Sequence, residues 1–260
     1  MTGWAGLRHR GGRYFDGLLL PGPGTLPPVP VVTGPACIRP DPRIALSREQ
    51  LSSAERELVD GIWVTTAERS LFDEVRRHRR LREAVADVEV AVAARLTSFG
   101  EFAAYVAGRN PWTGIGFVRE VVALAGLGCR SRPEARMALT WILDAGLGRP
   151  LCNVPVFDLR GNLVAIPDLF DPVAGCVGEY QGADHKEGER HRQDAAREQG
   201  MRNVGLECFE VVGGDLTDED LVVKRMHAAR GRSLFCRAPE RLWTLEQPAW
   251  WGPWAAARGF

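Results

Sequence analysis

The chain has 260 residues, 45% apolar and 25% charged, with 33 basic and 33 acidic side chains and a formal net charge of zero. That length can bury a real core and has room for two domains, and the composition is that of an ordinary soluble globular protein. Zero net charge excludes a global field that draws in nucleic acid, so any basic surface has to be local. Lys186 and Lys224 are the only lysines. Arginine forks suit phosphate, but a G+C-rich genome produces the same bias. The six cysteines, at positions 37, 129, 152, 176, 208 and 236, stand singly with no CxxC pair, which argues against a zinc knuckle and a secreted disulfide framework. The GLLLP run is too short for a signal peptide, and no apolar stretch reaches membrane-spanning length. A cytoplasmic protein with reduced thiols and no membrane contact is expected.

Residues 1–60 are dominated by proline and glycine. The stretch 21–35 cannot be helical, because proline removes donors and disfavours the helical region at the residue before it. Short strands are expected near Val29 to Val32 and Arg43 to Leu46. From Thr65 the period changes: Thr65-x-x-Glu68 reads as a capping box, and Leu71, Val75, His78, Val85 and Val92 recur near helical spacing. Helices are expected over 67–78 and 80–94, from Ser98-x-x-Glu101, and over 116–126. The densest basic cluster is Arg76, Arg77, Arg79, Arg80 and Arg82. It is either a solvated helix face and helix C-terminus or a set of phosphate contacts.

SRPEARMALTWILDAGLGRP reads as a helix, with Ser131 as N-cap, Pro133 in the first turn and Gly146 as the stop. Glu134 is then either the third position of its own capping box or a helix-borne catalytic acid, and spacing leaves both open. A hairpin is expected to turn at 158–162. The segments 163–170 and 176–181 read as strands flanking the turn at Asp171-Pro172-Val173-Ala174-Gly175. Alternation places Val164, Ile166 and Asp168 on one side, and Val177, Glu179 and Gln181 on one side. Asp168 and Glu179 therefore end apolar strand faces one hairpin apart. Desolvating them costs several kcal/mol unless compensated, and a hard cation such as Mg²⁺ compensates well. Separately, Asp168 could cap the turn and Glu179 could pair with an arginine. A helix follows over 186–200, a strand over 206–212, and a last helix over 217–232 with Asp218, Glu219 and Asp220 in its first turn. The tail RLWTLEQPAWWGPW carries four of the eight tryptophans. It either covers an apolar face or stacks bases, and it is the surface for a homodimer or protein partner.

Four stretches carry a resemblance: S-R-P-E-A-R at 131–136, I-P-D-L at 166–169, E-Y-Q-G-A-D-H at 179–185, and R-H-R-Q-D-A-A-R at 190–197. Residues 131–215 resemble the Vsr-like branch of the PD-(D/E)XK nuclease superfamily. From RYFDG and VTTAERSLFDE onward, the chain is similar to proteins related to abortive-infection antitoxins of the AbiEi type. The resemblance implies an α/β (α+β) fold: a mixed central sheet flanked by helices in a restriction-endonuclease-like domain over 129–235. A Pro/Gly-rich region (1–60) and a helical region (61–128) precede it, and the tail (236–260) follows.

By resemblance Glu134 is the first-helix acid, Asp168 the hairpin acid and Glu179 the acid that opens the (D/E)-x-K motif. Asp168 and Glu179 would hold Mg²⁺ or Mn²⁺. Gln181 stands where the motif has lysine, and a neutral amide cannot be a general base. Gln181 would instead hold a water, with His185 or a second metal supplying the base. His191, Asp194 and Arg197 would bind phosphate, form an outer shell, or make a salt-bridge cluster. DNA is the implied partner, contacted by Arg76, Arg77, Arg79, Arg80, Arg190 and Arg197. The expected function is DNA phosphodiester hydrolysis; the alternative is a catalytically inactive DNA-binding regulator or antitoxin on the same fold.

Overall fold

The computed structural model describes residues 1–17, 27–36, 38–182 and 197–258. The chain is a mixed α and β protein that divides into two compact units. Unit 1 is Met1–Gly126 with Arg130–Arg132, and unit 2 is Leu127–Cys129 with Pro133–Phe260. No helix among the described residues is long and apolar enough to cross a membrane.

In unit 1, strands β1 (Val29–Val32) and β2 (Ile44–Ser47) pair in parallel, close to the expected places. Helix α1 (Gly3–His9) was not expected, because its glycines hide the period. Strands β3 (Arg56–Val59) and β4 (Ile62–Thr65) form a hairpin where no strand was expected. Its turn is Asp60-Gly61, with φ of 47° and 79°. This is the Asp-Gly signal of a two-residue turn that needs positive φ at both positions.

Four helices follow: α2 (Ala67–Val75), α3 (Leu81–Ala93), α4 (Phe99–Ala107) and α5 (Ile115–Leu124). The cap of α2 is Thr66, one residue beyond the expected box, and its hydroxyl accepts from Arg69 N–H at 3.3 Å. The Ser98–Glu101 box forms as read, with bonds of 2.9 and 3.1 Å. Helix α3 is buried on every face from Ala84 to Ala91, Asp87 and Glu89 included. A helix enclosed all round belongs to the core, so its acids need internal partners. Glu89 accepts from Gly126 N–H at 2.6 Å.

From Pro133 onward, α6 (Arg132–Leu139) belongs to unit 2, and it continues as a π-helical turn over Thr140–Asp144. Within that turn Trp141 is fully buried and donates to Gly148 O at 2.8 Å. Strands β5 (Val156–Asp158) and β6 (Leu163–Ala165) make the expected hairpin. Asp158 holds its turn by accepting from the N–H of Arg160 and Asn162 at 2.9 and 2.8 Å.

The single strand expected over 163–170 is instead two. Strand β6 ends at Ala165 and β7 (Leu169–Asp171) begins in a different sheet. Pro167 is the cause, since it has no N–H to give a ladder and restricts Ile166 before it. One central mixed sheet is accordingly replaced by two three-stranded sheets, β10-β5-β6 and β7-β8-β9, where β8 is Cys176–Gln181, β9 Glu207–Val212 and β10 Trp243–Thr244. The second sheet is mixed, β7–β8 antiparallel and β8–β9 parallel.

The two sheets share a core of Val156, Ala165, Phe170, Val177, Met201, Leu206 and Trp243. Residues 197–203 are helical, and the remainder of the helix expected over 186–200 lies outside the described residues. Helix α7 (Glu219–Arg232) is capped by Asp218, which accepts from Leu221 N–H at 3.1 Å. The tail covers apolar surface: β10 pairs with β5, and Trp251 and Ala255 of α8 (Trp251–Ala257) pack on Phe157.

Candidate active site

Of the acids singled out in the C-terminal half, Asp168 immediately precedes β7 and Glu179 lies in β8, while Glu134 is on α6. Leu169 pairs with Gly178 as the first pair of the β7–β8 ladder, which leaves Asp168 one residue before it and Glu179 one residue beyond it. Asp168 Oδ2 accepts from the Tyr180 N–H at 2.8 Å, so the side chain extends the ladder where regular pairing stops. Gly178 is required beside it, because a Cβ there would lie 2.5 Å from the Phe209 ring. That ring stacks on Trp141 with centroids 6.0 Å apart.

Glu179 is largely buried, its side chain 16% exposed, and pairs with Arg197 at 2.9 Å. The same Arg197 nitrogen donates to Ile166 O at 3.0 Å. The helix after residue 196 thus supplies a cation to the acid of β8 and ties it to the chain just before Pro167. On the same face, two residues before Glu210 on β9, burial first, and then the nearby Glu179 carboxylate, push the Cys208 thiol up to about 12.

Gln181 shares the face of Glu179 by alternation, and its Nε2 donates to Glu210 Oε1 at 3.0 Å. Glu210 pairs in register with Glu179 on β9 and is an acid of this face that sequence reasoning misses. A signal for it exists: in β9, Phe209 and Val211 are the inward positions, which turns Glu210 outward.

Glu134 on α6 accepts from Asn153 Nδ2 at 2.8 Å. Asn153 also donates its backbone N–H to Pro167 O at 2.9 Å, and so links the α6 acid to the residue before Asp168. Asn153 has φ of 55°, in the left-handed region that asparagine tolerates better than most residues. Nothing in the sequence pattern marks it.

His185 and Arg190, with His191 and Asp194, lie outside the described residues. Arg76, counted at the sequence level among the surface cations, is withdrawn from the surface. Its side chain is 9% exposed, it bonds Asp73 at 2.8 Å and pairs with Glu49. Arg77, Arg79 and Arg80 are exposed.

Among the described residues, no three of Glu134, Asp168, Glu179 and Glu210 bring ligand atoms within 4.8 Å of one another. The donor set at β7 and β8 is two carboxylates, which fits a hard divalent cation that keeps most of its own water. No family model, curated protein or solved structure matches the chain.

Proposed function

We propose that this chain is a metal-dependent endonuclease that hydrolyses phosphodiester bonds in DNA, with Asp168 and Glu179 as its metal-holding acids. The observation that carries the reading is that Asp168 and Glu179 flank the Leu169–Gly178 pair at the end of the β7–β8 ladder, where Asp168 accepts the Tyr180 N–H at 2.8 Å and Arg197 bonds Glu179 at 2.9 Å. Bound Mg²⁺ or Mn²⁺ would polarise the scissile phosphate and lower the pKa of a water.

The chain's own residues do the rest. Asp168 is aimed by the bond its Oδ2 accepts from Tyr180. Arg197, a planar fork suited to phosphate, would pass from Glu179 to the arriving phosphate. Gln181 cannot take a proton; it would orient the water while Glu210 steadies its amide. His185 remains the proposed base. Nicking of supercoiled plasmid with Mg²⁺ or Mn²⁺, beside an EDTA control and Asp168→Asn, tests the reading. Undiminished cleavage in EDTA or in the variant would overturn it.

One observation favours a second reading. Gln181 stands at the lysine position and is already bonded to Glu210, which suits a catalytically inactive DNA-binding regulator or antitoxin. A wild type inert with both metals that still retards DNA in a gel would decide for it.

A further inference from the structure

We propose that Glu74, His78 and Asp87, in unit 1, form a binding site for a divalent transition-metal cation of the Zn²⁺ class. The proposal is independent of the nuclease reading, whose acids all lie in unit 2.

The sequence places two of the ligands. Glu74 lies in the last turn of α2, and His78 follows three residues after its end, where its backbone N–H donates to Val75 O at 3.1 Å and folds the chain back over that turn. Asp87 comes from the enclosed face of α3. One ligand atom from each of the three lies within 4.8 Å of the other two. The site is dry: Glu74 is 7% exposed, and the side chains of His78 and Asp87 are 5% and 1% exposed.

Two carboxylates enclosed this tightly repel each other and lose their hydration, an arrangement that requires positive charge between them. The side chains present supply part of it. His78 Nε2 contacts Asp87 Oδ2, and Arg132 donates to Asp87 Oδ1. Trp4 N–H donates to Glu74 Oε2 at 2.7 Å. These outer donors orient both carboxylates, as outer partners do around bound metals. Arg132 Nη1 is buried with no hydrogen-bond partner among the described residues, a donor that a metal-bound water would satisfy.

The ligand chemistry selects the ion. One imidazole nitrogen with two carboxylate oxygens suits Zn²⁺ and its first-row neighbours, whereas Mg²⁺ and Ca²⁺ take oxygen alone. A cation about 2.0–2.2 Å from each ligand would sit where the His78–Asp87 contact now is. It would replace the proton shared there, which leaves to solvent. Three protein ligands leave a fourth position for water.

The test uses the full chain carrying Asp168→Asn and Glu179→Gln, so that the unit 2 acids do not contribute. After chelator treatment, titration with Co²⁺ should give one bound ion per chain with visible d–d absorption, displaced by Zn²⁺. His78→Gln should weaken binding by at least about 100-fold, and Arg132→Gln by about 10–100-fold, as loss of an outer partner does. Circular dichroism checks that each variant folds. Should His78→Gln not fold, Zn²⁺ added to the parent chain should shift the His78 imidazole resonances at one equivalent. Absence of a stoichiometric ion, equal binding by folded His78→Gln, or unmoved His78 resonances would each overturn the proposal and leave an ion-pair cluster only.

Discussion

Asp168 accepts the backbone N–H of Tyr180 at 2.8 Å, so one acid side chain does the work of a ladder carbonyl at the point where Pro167 has broken the strand. Under the proposed function, structural and catalytic demands meet in this one carboxylate, and two substitutions separate them. Asp168→Asn keeps an oxygen for Tyr180 and should fold with nearly the wild-type denaturation midpoint while losing nicking. Asp168→Ala should lose nicking and also about 1–2 kcal/mol of stability, the cost of an unsatisfied amide. Denaturant unfolding and plasmid nicking read the two effects; nicking retained in both variants would remove Asp168 from the site.

Gln181→Ala should slow nicking by about 10–1000-fold, as loss of a positioning hydrogen bond does, with DNA retardation unchanged. Gln181→Lys places a cation beside Glu210, the present partner of Gln181, and that acid should hold it. Restored lysine chemistry is therefore expected from Gln181→Lys with Glu210→Gln together, compared in single-turnover cleavage. A pair of changes no faster than wild type would show that the amide is not what limits the rate.

The arginines after α2 should divide by burial. Arg77, Arg79 and Arg80 changed together to alanine should leave folding intact and flatten the salt dependence of DNA binding, by about one log–log unit for each phosphate no longer neutralised. Arg76→Ala should instead destabilise unit 1, because it strips one of two cations from fully buried Asp73 and leaves Arg69, at 2.9 Å, as the other; the loss should fall short of the about 3–5 kcal/mol that a fully unpaired buried charge costs. Thermal unfolding and a salt titration of DNA binding distinguish the outcomes. An unchanged salt slope in the triple variant would return these three residues to a solvated face.

Acid should loosen unit 1 partly through Glu49. The hydrogen bond from Arg76 holds this carboxyl below its usual value against the opposing effect of desolvation. A depressed folded pKa stabilises above the unfolded value and is lost as pH falls through the folded one. The contribution is thus complete above about pH 5 and fades below about pH 4.5, the usual carboxylate range. Glu49→Gln should lower stability near neutral pH and flatten its fall on acidification, measured as unfolding free energy across the acid range.

Burial pushes the thiols of Cys176 and Cys208 up to about 12. Under mildly alkaline conditions a thiol reagent should therefore spare both in the native protein and modify half-buried Cys236 first among the described cysteines. A raised folded pKa stabilises below the unfolded value, so this contribution is present at neutral pH and fades as pH rises through about 9 to 12. Mass spectrometry of the modified protein checks the order.

Local signals mark most of the helices and the turns of the hairpins; α1 is an exception, its glycines hiding the period. Ser98-x-x-Glu101 caps α4, Asp158 with Asn162 closes the β5–β6 turn, and Asp60-Gly61 marks the β3–β4 hairpin, although the weak apolar pattern around it hides the strands. Each of these depends on residues a few positions apart, where propensity and hydrogen-bonding reach are set by sequence. The break at Pro167 is also legible, since a missing N–H acts locally whatever surrounds it.

Partnership at long range is not legible. That Arg197 meets Glu179, Asn153 reaches Glu134, and Glu210 holds Gln181 depends on strand order and on which helix crosses which sheet. The same holds for Arg76, which looks like a surface cation until Glu49, 27 residues away, closes on it. Asp87 looks like one polar residue in an amphipathic helix; enclosure of α3 on every side makes it a buried charge that requires His78 and Arg132. Burial and charge pairing arise from the packing of whole elements, and only the tertiary structure assigns them.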